Sequence, residues 1–510
     1  MAQPVNLGDL LDRSRPAGTT ALIDCLDWER PREYSHGEID RLANACARGL
    51  LARGLRRGDA VAILAGNRAE FLVAYFATMR AGLVSVPVNH KFPRETIDFV
   101  MRDSGVRLVF CDRERRAQVP AGIPPVDFDS KEGDGFEALL DHGDFAAVRP
   151  AARETAMVLY TSGSTGRPKG VALSHDGHLW AVQSRVEAGR DLDRERIIVA
   201  APLFHMNALG TSKVVFAAHG AMVLLPQFDA RRYVEAIGRF HVTFLTSVPT
   251  MLALILRERD VLARTDLSSV RVVRMGSAPT TQRLIDAVKK AFPGAAVSYI
   301  YGTTEAGPVM FGPHPDGRPQ PDLALGWPRP QVEVRLVRPD DPDGREADEG
   351  MLWIRTPANM TGYLNLPDKT KEVLTPDGWY ISGDILRRDA AGAYYFVGRA
   401  DDMFICGGEN IYPGEVEAML ERHPDILQAC VVPVPDEIKH EKPFAFVVTR
   451  DGGRLREDDV KQYALAHAPA YQHPRHVVFM PALPLASTGK VDRAVLRRLA
   501  LEHLQVGTKA

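Results

Sequence analysis

Glycines, hydroxyl side chains and a single lysine are concentrated between residues 160 and 170, which read YTSGSTGRPKG. This segment follows an apolar stretch at residues 156–159 and precedes a helical pattern that begins near Ser174. Glycines let backbone N–H groups approach an anion, and the hydroxyls and Lys169 supply further donors. A flexible linker would not be expected between a buried strand and a helix with a fixed lysine. The segment therefore predicts a turn that binds phosphate.

The P-loop of phosphotransfer enzymes is the main alternative for this segment. That motif requires Gly-Lys followed by Ser or Thr after four spacer residues. Here Gly166 is followed by Arg-Pro-Lys, and the Gly-Lys pair at residues 489–490 is followed by Val491. Neither segment fits a P-loop.

Four more polar segments carry side chains suited to nucleotide chemistry. They read YGTTE at 301–305, WYISGD at 379–384, GRADD at 398–402 and STGK at 487–490. The Glu305 carboxylate is a hard oxygen ligand suited to Mg2+. Asp384 can accept hydrogen bonds from two hydroxyls, and the Tyr301 ring can stack on a base. Taken singly, each could instead be a helix-terminal charge, a turn residue or a core aromatic.

The composition is that of a globular protein with several domains. The chain has 510 residues, of which 45% are apolar and 25% charged, and roughly 100 to 200 residues per domain gives two to four packed units. The 63 basic and 65 acidic side chains leave a net charge of -2, which does not favour a nucleic-acid partner. The five cysteines form no CxxC pair, so neither a disulfide framework nor a zinc site is expected.

No targeting or membrane-spanning segment is recognisable in the sequence. The N-terminal residues lack a basic stretch followed by an apolar one, and the C-terminal TKA is not a peroxisomal signal. The longest apolar tract, residues 242–256, is interrupted by Ser247 and Pro249 and is shorter than the roughly 20 residues that span a bilayer. We therefore expect a cytoplasmic protein without membrane insertion.

Helical and extended patterns alternate over most of the chain. Helices are predicted at residues 40–55, 70–80, 93–102, 231–240 and 281–292, and strands at 60–64, 83–88, 106–111, 242–246 and 296–301. Continuous apolar strands between helices are typical of parallel sheets covered on both faces. Between residues 331 and 399 the pattern changes to alternating strands with tight turns, which indicates an antiparallel unit.

We predict an α/β fold from these patterns. A large N-terminal domain, residues 1–398, would contain stacked α/β sheets and the small antiparallel β unit. Residues 399–402 would form a hinge, and residues 403–510 are long enough for a small, mobile α+β domain.

The motifs, taken in order, resemble those of the adenylate-forming (ANL) superfamily, which includes acyl-CoA synthetases, luciferases and adenylation domains of nonribosomal peptide synthesis. The similarity extends over nearly the whole chain and includes the segment GGENIYP at residues 407–413. The resemblance implies ATP as a substrate and Glu305 as the ligand of Mg2+. The residues implied to bind ATP are Thr161, Ser162, Gly163, Ser164, Thr165, Gly166, Lys169, Gly276, Ser277, Ala278, Tyr301, Gly302, Thr303, Thr304, Asp384, Arg399 and Lys490.

The resemblance also implies two half-reactions. A carboxylate attacks the α-phosphorus of Mg-ATP to form an acyl-adenylate and pyrophosphate, and the thiol of CoA then displaces AMP. Lys490 would hold the carboxylate and the α-phosphate during the first step, where charge develops, and His205, Thr304 and Glu305 would also be catalytic. The small domain would reorient about the hinge residue Asp401 for the second step. The residues implied to contact CoA are Gly407, Gly408, Tyr471 and His473.

The class of carboxylic acid substrate is predicted from the segment FHMNAL at residues 204–209. Amino-acid-activating relatives carry an aspartate here, so an amino acid is not expected. This segment and residues 302–309 are similar to 4-coumarate:CoA ligases, and residues 401–411 to bacterial benzoate-type ligases. The residues implied to form the acyl pocket are His205, Asn207, Thr211, Gly276, Gly302, Pro308 and Val309.

We therefore predict an acyl-CoA ligase for an aromatic acid of the hydroxycinnamate or benzoate type. A short- or medium-chain fatty acyl-CoA synthetase and an enzyme that loads a carrier protein are the alternatives. The sequence does not determine the oligomeric state, and a homodimer stays open.

Overall fold

The computed structural model describes residues 4–161, 167–189, 191–338, 344–406, 409–436, 438–450, 455–486 and 490–507. The helices are α1 (His36–Ala52), α2 (Ala69–Arg80), α3 (Arg94–Asp103), α4 (Phe136–Leu139), α5 (His175–Ala188), α6 (Met206–Ala218), α7 (Ala230–Phe240), α8 (Pro249–Ile255), α9 (Arg259–Arg264), α10 (Gln282–Ala291), α11 (Pro367–Val373), α12 (Pro413–Leu420), α13 (Glu457–His467) and α14 (Arg493–Gly507).

The strands begin with β1 (Thr20–Asp24), β2 (Arg32–Ser35), β3 (Ala60–Leu64), β4 (Val84–Pro87), β5 (Val106–Cys111), β6 (Pro125–Asp127), β7 (Thr155–Thr161), β8 (Lys169–Ser174), β9 (Arg196–Val199), β10 (Ala221–Leu224), β11 (Phe244–Ser247), β12 (Val272–Gly276) and β13 (Ala296–Ile300). They continue with β14 (Phe311–Gly312), β15 (Ala324–Pro328), β16 (Glu333–Val337), β17 (Glu349–Arg355), β18 (Gly362–Tyr363), β19 (Tyr380–Arg388), β20 (Tyr394–Arg399), β21 (Phe404–Cys406), β22 (Glu409–Ile411), β23 (Ile426–Asp436), β24 (His440–Thr449) and β25 (His476–Phe479).

Two large sheets form the N-terminal part of the molecule. The first sheet has the order β18-β8-β7-β4-β3-β5-β6 and the second has the order β13-β12-β11-β9-β10-β1-β2. Most neighbouring strands in both are parallel. Apolar side chains of α1, α2, α5 and α6 fill the space between the two sheets. Helix α3 packs on the outer face of the first sheet, and α7, α8 and α10 pack on the outer face of the second. This is the layered α/β fold that the sequence predicts.

The third and fourth sheets are smaller. The third has the order β14-β15-β20-β19-β17-β16, and its strands are antiparallel, as predicted for residues 331–399. The fourth has the order β22-β21-β24-β23, with β25 paired to β24. Helices α12 and α13 share a hydrophobic core with it, so the C-terminal residues form the expected α+β unit.

Several predicted boundaries agree with the structure, and one strand was not predicted. Strands β3 and β5 have the predicted bounds, whereas α1 begins at His36 because Ser35 and Glu38 form a capping box there. The helix predicted to begin near Ser174 is confirmed as α5, which has Ser174 as its N-cap residue. The strand β8 before it was not predicted, and it is antiparallel to β7, with Thr161 paired to Lys169. The sequence KGVALS buries its last five residues as a strand before α5 begins.

None of the helices in the described ranges is both long enough and apolar enough to cross a membrane.

Candidate active site

Asp384 is held by one partner on the third sheet and by another that directly follows β13 of the second sheet. It lies on β19, directly opposite Arg399 on β20, and is only 5% exposed. The Arg399 Nη1 atom donates a hydrogen bond to Oδ1 at 2.9 Å, and the Tyr301 hydroxyl donates one to Oδ2. Burial raises the pKa of Asp384, and the Arg399 charge opposes that rise. The carboxylate is therefore fixed in place with lone pairs left for a ligand.

Gly383 permits this arrangement. Its φ of +74° is a left-handed conformation that favours glycine, and a Cβ atom at this position would lie 3.0 Å from the Arg399 Nη2 atom. A larger residue would strain the backbone and press on the guanidinium that binds Asp384.

Glu305 lies beside Tyr363 and Lys169. Strand β18 pairs with β8, with Tyr363 opposite Val171, and this pairing brings the Tyr363 ring close to Lys169. The Tyr363 hydroxyl donates a hydrogen bond to Glu305 Oε1 at 3.2 Å, and the Lys169 Nζ atom lies 4.5 Å from the Tyr363 ring centroid. Burial raises the pKa of Glu305, while Tyr363 and Lys169 oppose this rise.

Lys490 reaches the same region from the C-terminal part of the chain. Its carbonyl accepts a hydrogen bond from the Ala486 N–H at 2.7 Å. The residue as a whole keeps solvent exposure, but its ammonium group lies among the charges of Asp384, Glu305 and Arg399. Burial lowers the pKa of Lys490, and the two carboxylates oppose this effect. The structure thus brings Lys490 together with the groups predicted to bind ATP.

The ends of β12 and β13 lie close together and leave little room for side chains. Gly276 lies opposite Ile300, and a Cβ atom on Gly276 would lie 2.7 Å from Ile300 Cγ1. A Cβ on Gly302 would lie 2.2 Å from the Pro308 carbonyl oxygen.

Hydrogen bonds fix the turns that follow these two strands. The Thr303 N–H donates a hydrogen bond to the Gly307 carbonyl at 3.0 Å, and Thr304 lies within the same turn. Ser277 has a φ of +66°, and the Ala278 carbonyl accepts a hydrogen bond from the Tyr299 hydroxyl at 3.2 Å. Residues 276–278 and 302–304 therefore form a closely packed backbone surface.

Several of the predicted acyl-pocket residues lie on or beside helix α6. His205 is its N-cap residue, and the His205 Nε2 atom is buried with no hydrogen-bond partner among the described residues. Burial and then the Lys490 charge lower the pKa of His205 to about 4, so its ring is neutral at physiological pH. The Asn207 Oδ1 atom accepts a hydrogen bond from the Thr246 hydroxyl at 3.4 Å. Thr211 is buried in the same helix, and Pro308 and Val309 are partly buried.

Three arginines near this region were missed by the sequence analysis. They are Arg185 on α5, Arg274 on β12 and Arg329, which directly follows β15. Arg274 stands out in the sequence as a charge inside the apolar strand VVRMG, a signal that could have identified it. The position of Arg185 on a helix whose apolar residues form no clear stripe gave no comparable signal.

The residues predicted for the hinge and for CoA lie in the C-terminal region. The Arg399 Nη2 atom donates a hydrogen bond to Asp401 Oδ2 at 3.1 Å. Tyr471 packs against the core of the fourth sheet. Both ring nitrogens of the buried His473 have polar neighbours, the Ala470 carbonyl at 2.8 Å and Arg475 Nη1 at 2.6 Å. Ser162, Gly163, Ser164, Thr165, Gly166, Gly407 and Gly408 lie outside the described residues.

A layered α/β region joined to an antiparallel sheet, with a lysine supplied by a C-terminal α+β unit, is the architecture expected of an adenylate-forming enzyme. Residues 12–364 match the model of the AMP-binding enzyme family, and residues 415–490 match the model of the AMP-binding enzyme C-terminal domain. The chain belongs to this family, which confirms the predicted adenylate-forming superfamily.

Its relatives are CoA ligases by name. The chain is 32% identical to 4-coumarate–CoA ligase 5 of Oryza sativa subsp. japonica, covering 92% of this chain and 90% of that protein. It is 34% identical to a feruloyl-CoA synthase of Amycolatopsis sp, covering 91% and 93%. Among solved structures, ATP-bound MatB from Rhodopseudomonas palustris is similar with a TM-score of 0.88 and 30% identity, covering 97% and 99%. The anthranilate CoA ligase AuaEII with anthranoyl-AMP is similar with a TM-score of 0.86 and 26% identity, covering 98% of each chain.

Proposed function

We propose that this protein is an ATP-dependent carboxylate–CoA ligase that forms an acyl-adenylate and then an acyl-CoA thioester. The observation that carries this proposal is the meeting of Lys490, Glu305 and the Asp384–Arg399 pair in one region, although they come from separate parts of the chain. Adenylation must bring a carboxylate to a triphosphate, so it requires cations at the reacting phosphate and a fixed acceptor for the nucleotide.

The proposed nucleotide site assigns a separate task to each of these groups. Asp384, fixed by Arg399 and Tyr301, accepts hydrogen bonds from the ribose hydroxyls. Lys490 neutralises negative charge on the carboxylate and α-phosphate as they approach. Residues 276–278 and the Tyr301 ring flank the adenine.

Mg2+ fits the donor set around Glu305. In the described part of the chain, no group of three or more His, Cys, Asp or Glu side chains could hold a metal ion by itself. Mg2+ is commonly held by one or two carboxylates together with substrate phosphates. The partly buried Glu305 carboxylate, oriented by Tyr363, fits that mode as a single protein ligand. A bound Mg2+ would neutralise phosphate charge.

In this proposal, the thioester step takes place in a second arrangement of the N-terminal and C-terminal domains. Residues 399–402 would form the boundary between the two domains, and rotation about Asp401 would withdraw Lys490 and admit CoA. Contacts of Gly407, Gly408, Tyr471 and His473 with CoA belong to that arrangement and stay predictions.

An aromatic acid is the proposed substrate class. The names of the relatives support it, since they include 4-coumarate, feruloyl and indoleacetate ligases or synthases. The neutral His205, which has no fixed anion beside it, also disfavours an amino acid. Short- and medium-chain fatty acids and a carrier-protein acceptor are the alternatives to be tested.

The experiment is an assay of AMP formation with a panel of carboxylates, with and without CoA. We expect AMP release that depends on both the acid and CoA, and an acyl-CoA product detected by mass spectrometry. Hydroxylamine trapping without CoA reports the acyl-adenylate. An acyl-adenylate that forms but is not transferred to CoA would favour the carrier-protein alternative. AMP release without any acyl product would contradict the proposal.

A proline at the hinge tests the second arrangement. Proline fixes φ near -65°, so Asp401→Pro should slow thioester formation from the carboxylate while acyl-adenylate still accumulates. A normal overall rate in this variant would place the hinge elsewhere.

A further inference from the structure

Three arginine side chains lie near helix α6, and one of them, Arg185, approaches the helix at Gly210. The position that a Cβ would occupy on Gly210 lies 3.4 Å from Pro308 Cβ and 3.8 Å from Arg185 Nη1. Arg185 therefore borders the same space as Pro308, a residue predicted to line the acyl pocket.

Arg274 joins this group through the second sheet. It lies opposite Thr246 in the β11–β12 pairing, and the Thr246 hydroxyl bonds to Asn207, another predicted pocket residue. The Arg274 Nε atom is buried without a hydrogen-bond partner in the described ranges. Its guanidinium carbon lies 4.8 Å from the Phe244 ring centroid.

Arg329 completes the group on the side of α5. Its Nη2 atom donates a hydrogen bond to the Ser184 carbonyl, which lies next to Arg185 in sequence. We define Arg185, Arg274 and Arg329 as the arginine cluster.

The charges of the arginine cluster are not compensated by the protein. No carboxylate within the described residues forms an ion pair with any of the three, although exposed arginines elsewhere in the chain form many. The Arg185 guanidinium has no hydrogen-bond partner in the same part of the chain. Burial lowers the pKa of Arg185, and repulsion from Arg274 and Arg329 lowers it further.

The contacts of Arg329 with the Ser184 carbonyl and of Arg274 with the Phe244 ring supply no counter-charge. The three side chains are half-buried, and partly desolvated charges of one sign destabilise a fold unless a counter-charge is present. A guanidinium presents donors in a planar fork that matches a carboxylate, so an anionic ligand would satisfy the free donors and relieve the repulsion.

We infer that the acid activated by this enzyme carries a second anionic group, a carboxylate at the end remote from the reacting one, and that the arginine cluster binds it. This inference rests on the proposed function and names its substrate class. Gly210 follows the N-cap residue His205 by five positions, which corresponds to about 7.5 Å along a helix. The two anionic groups should therefore be separated by a spacer such as one aromatic ring or a short alkyl chain.

The test compares matched acids that differ only in the second anionic group. The pairs are benzoate with terephthalate, 4-coumarate with 4-carboxycinnamate, and hexanoate with adipate, and 4-sulfobenzoate serves to distinguish a carboxylate from another anion. We expect the diacid of at least one pair to have a kcat/KM at least about 10-fold above that of its monoacid, since charge-assisted hydrogen bonds are involved.

Arg185→Met and Arg274→Met are the test variants, and Arg271→Met is the matched control. Arg271 precedes the same strand, but its side chain is 52% exposed and pairs with Glu195. The ratio of diacid to monoacid kcat/KM should fall about 10- to 100-fold in the two test variants and stay unchanged in the control.

A binding measurement separates this inference from the proposed function. Terephthalate should raise the unfolding temperature of the wild-type protein but not that of the test variants. Without acid, the test variants should be as stable as the wild type, because each removes a half-buried charge that has no ion-pair partner among the described residues. A loss of several degrees without acid would instead show that the arginines stabilise the fold.

Two outcomes overturn different claims. If monoacids are preferred in every pair and the ratio does not respond to Arg185→Met or Arg274→Met, the inference is wrong and the ligase proposal stands. If no acid supports acyl-adenylate formation while terephthalate still stabilises only proteins with an intact cluster, the ligase proposal is wrong and the anion site stands.

Discussion

The nucleotide side of the site and its acyl side treat charge in opposite ways. On the nucleotide side, Asp384 is held between Arg399 and Tyr301, and Lys490 lies near both Asp384 and Glu305. On the acyl side, the arginine cluster and the buried Lys213 bring together positive charges without an ion-paired carboxylate in the described part of the chain.

On the nucleotide side the protein itself fixes the positions of the charged groups, whereas on the acyl side a ligand would have to supply the counter-charge. Opposite charges hold one another in position before a nucleotide arrives, so the geometry of Asp384 is already determined. Like charges cannot hold one another, so the arginine cluster gains a counter-charge only when an anion binds. Substitutions on the nucleotide side should therefore change the rate or the KM for ATP. Substitutions on the acyl side should change protein stability and the preference among acids.

The largest effect is expected for Lys490→Ala. Removal of a cation beside the reacting phosphate should slow acyl-adenylate formation by an amount comparable to the loss of an oxyanion donor, about 3 to 4 kcal/mol in activation free energy. Single-turnover formation of the adenylate and conversion of a synthetic acyl-adenylate to thioester should be measured separately. Equal losses in both steps would contradict a role confined to adenylation.

Asp384→Asn should have the next largest effect. The amide keeps the shape of the side chain but loses the negative charge that accepts hydrogen bonds from Arg399 and, in the proposed site, from the ribose hydroxyls. We expect the KM for ATP to rise about 10- to 100-fold, in line with the loss of hydrogen bonds to a charged group. Asp348→Asn is the matched control, since Asp348 pairs with Arg388 at the surface of the same sheet and is 79% exposed. An unchanged KM for ATP would remove Asp384 from the nucleotide site.

The buried Lys213 on the acyl side allows a test by the pH dependence of protein stability. It is 1% exposed, and its Nζ atom lies 4.0 Å from Met157 Sδ. Burial, with repulsion from Arg185, lowers its pKa from 10.5 to about 7. Between those two pH values the unfolded chain binds a proton that the folded chain does not, so the free energy of unfolding should increase with pH.

The measurement compares Lys213→Met with the wild type. The wild-type stability should rise relative to that of the variant by up to about 1.4 kcal/mol per pH unit between pH 7 and 10, and the variant should be the more stable protein at pH 7. Parallel stability curves across this range would show that Lys213 has a partner that stabilises its charge.

The sequence predicted the nucleotide side more completely than the acyl side. Asp384, Glu305 and Lys490 lie in short segments whose order along the chain resembles one family, so their meeting in space could be anticipated. Strand β8 (Lys169–Ser174) could not be anticipated, because Pro168 and Gly170 are unfavourable in a strand pattern although the last five of its six residues are buried.

The arginine cluster depends on contacts between elements that are distant in sequence. Arg185, Arg274 and Arg329 come from a helix, a strand and a connection, and none belongs to a motif. Their convergence follows from the packing of α5 against α6 beside the second sheet, which periodicity alone does not specify. The C-terminal α+β unit, in contrast, was predicted from its length and patterns.

The smallest effect is expected for Tyr301→Phe, which separates two roles of one side chain. The ring is predicted to stack on adenine, whereas the structure shows that the hydroxyl donates a hydrogen bond to Asp384. Phe keeps the ring and removes the hydroxyl, so the KM for ATP should rise only about fivefold, equivalent to one hydrogen bond of about 1 kcal/mol. Tyr301→Leu removes both and should cost more than Phe, since stacking on a base contributes about 1 to 3 kcal/mol. Equal losses in the two variants would mean that the residue acts through Asp384 alone. A loss confined to Leu would mean that the ring acts alone and that Arg399 suffices to position the carboxylate.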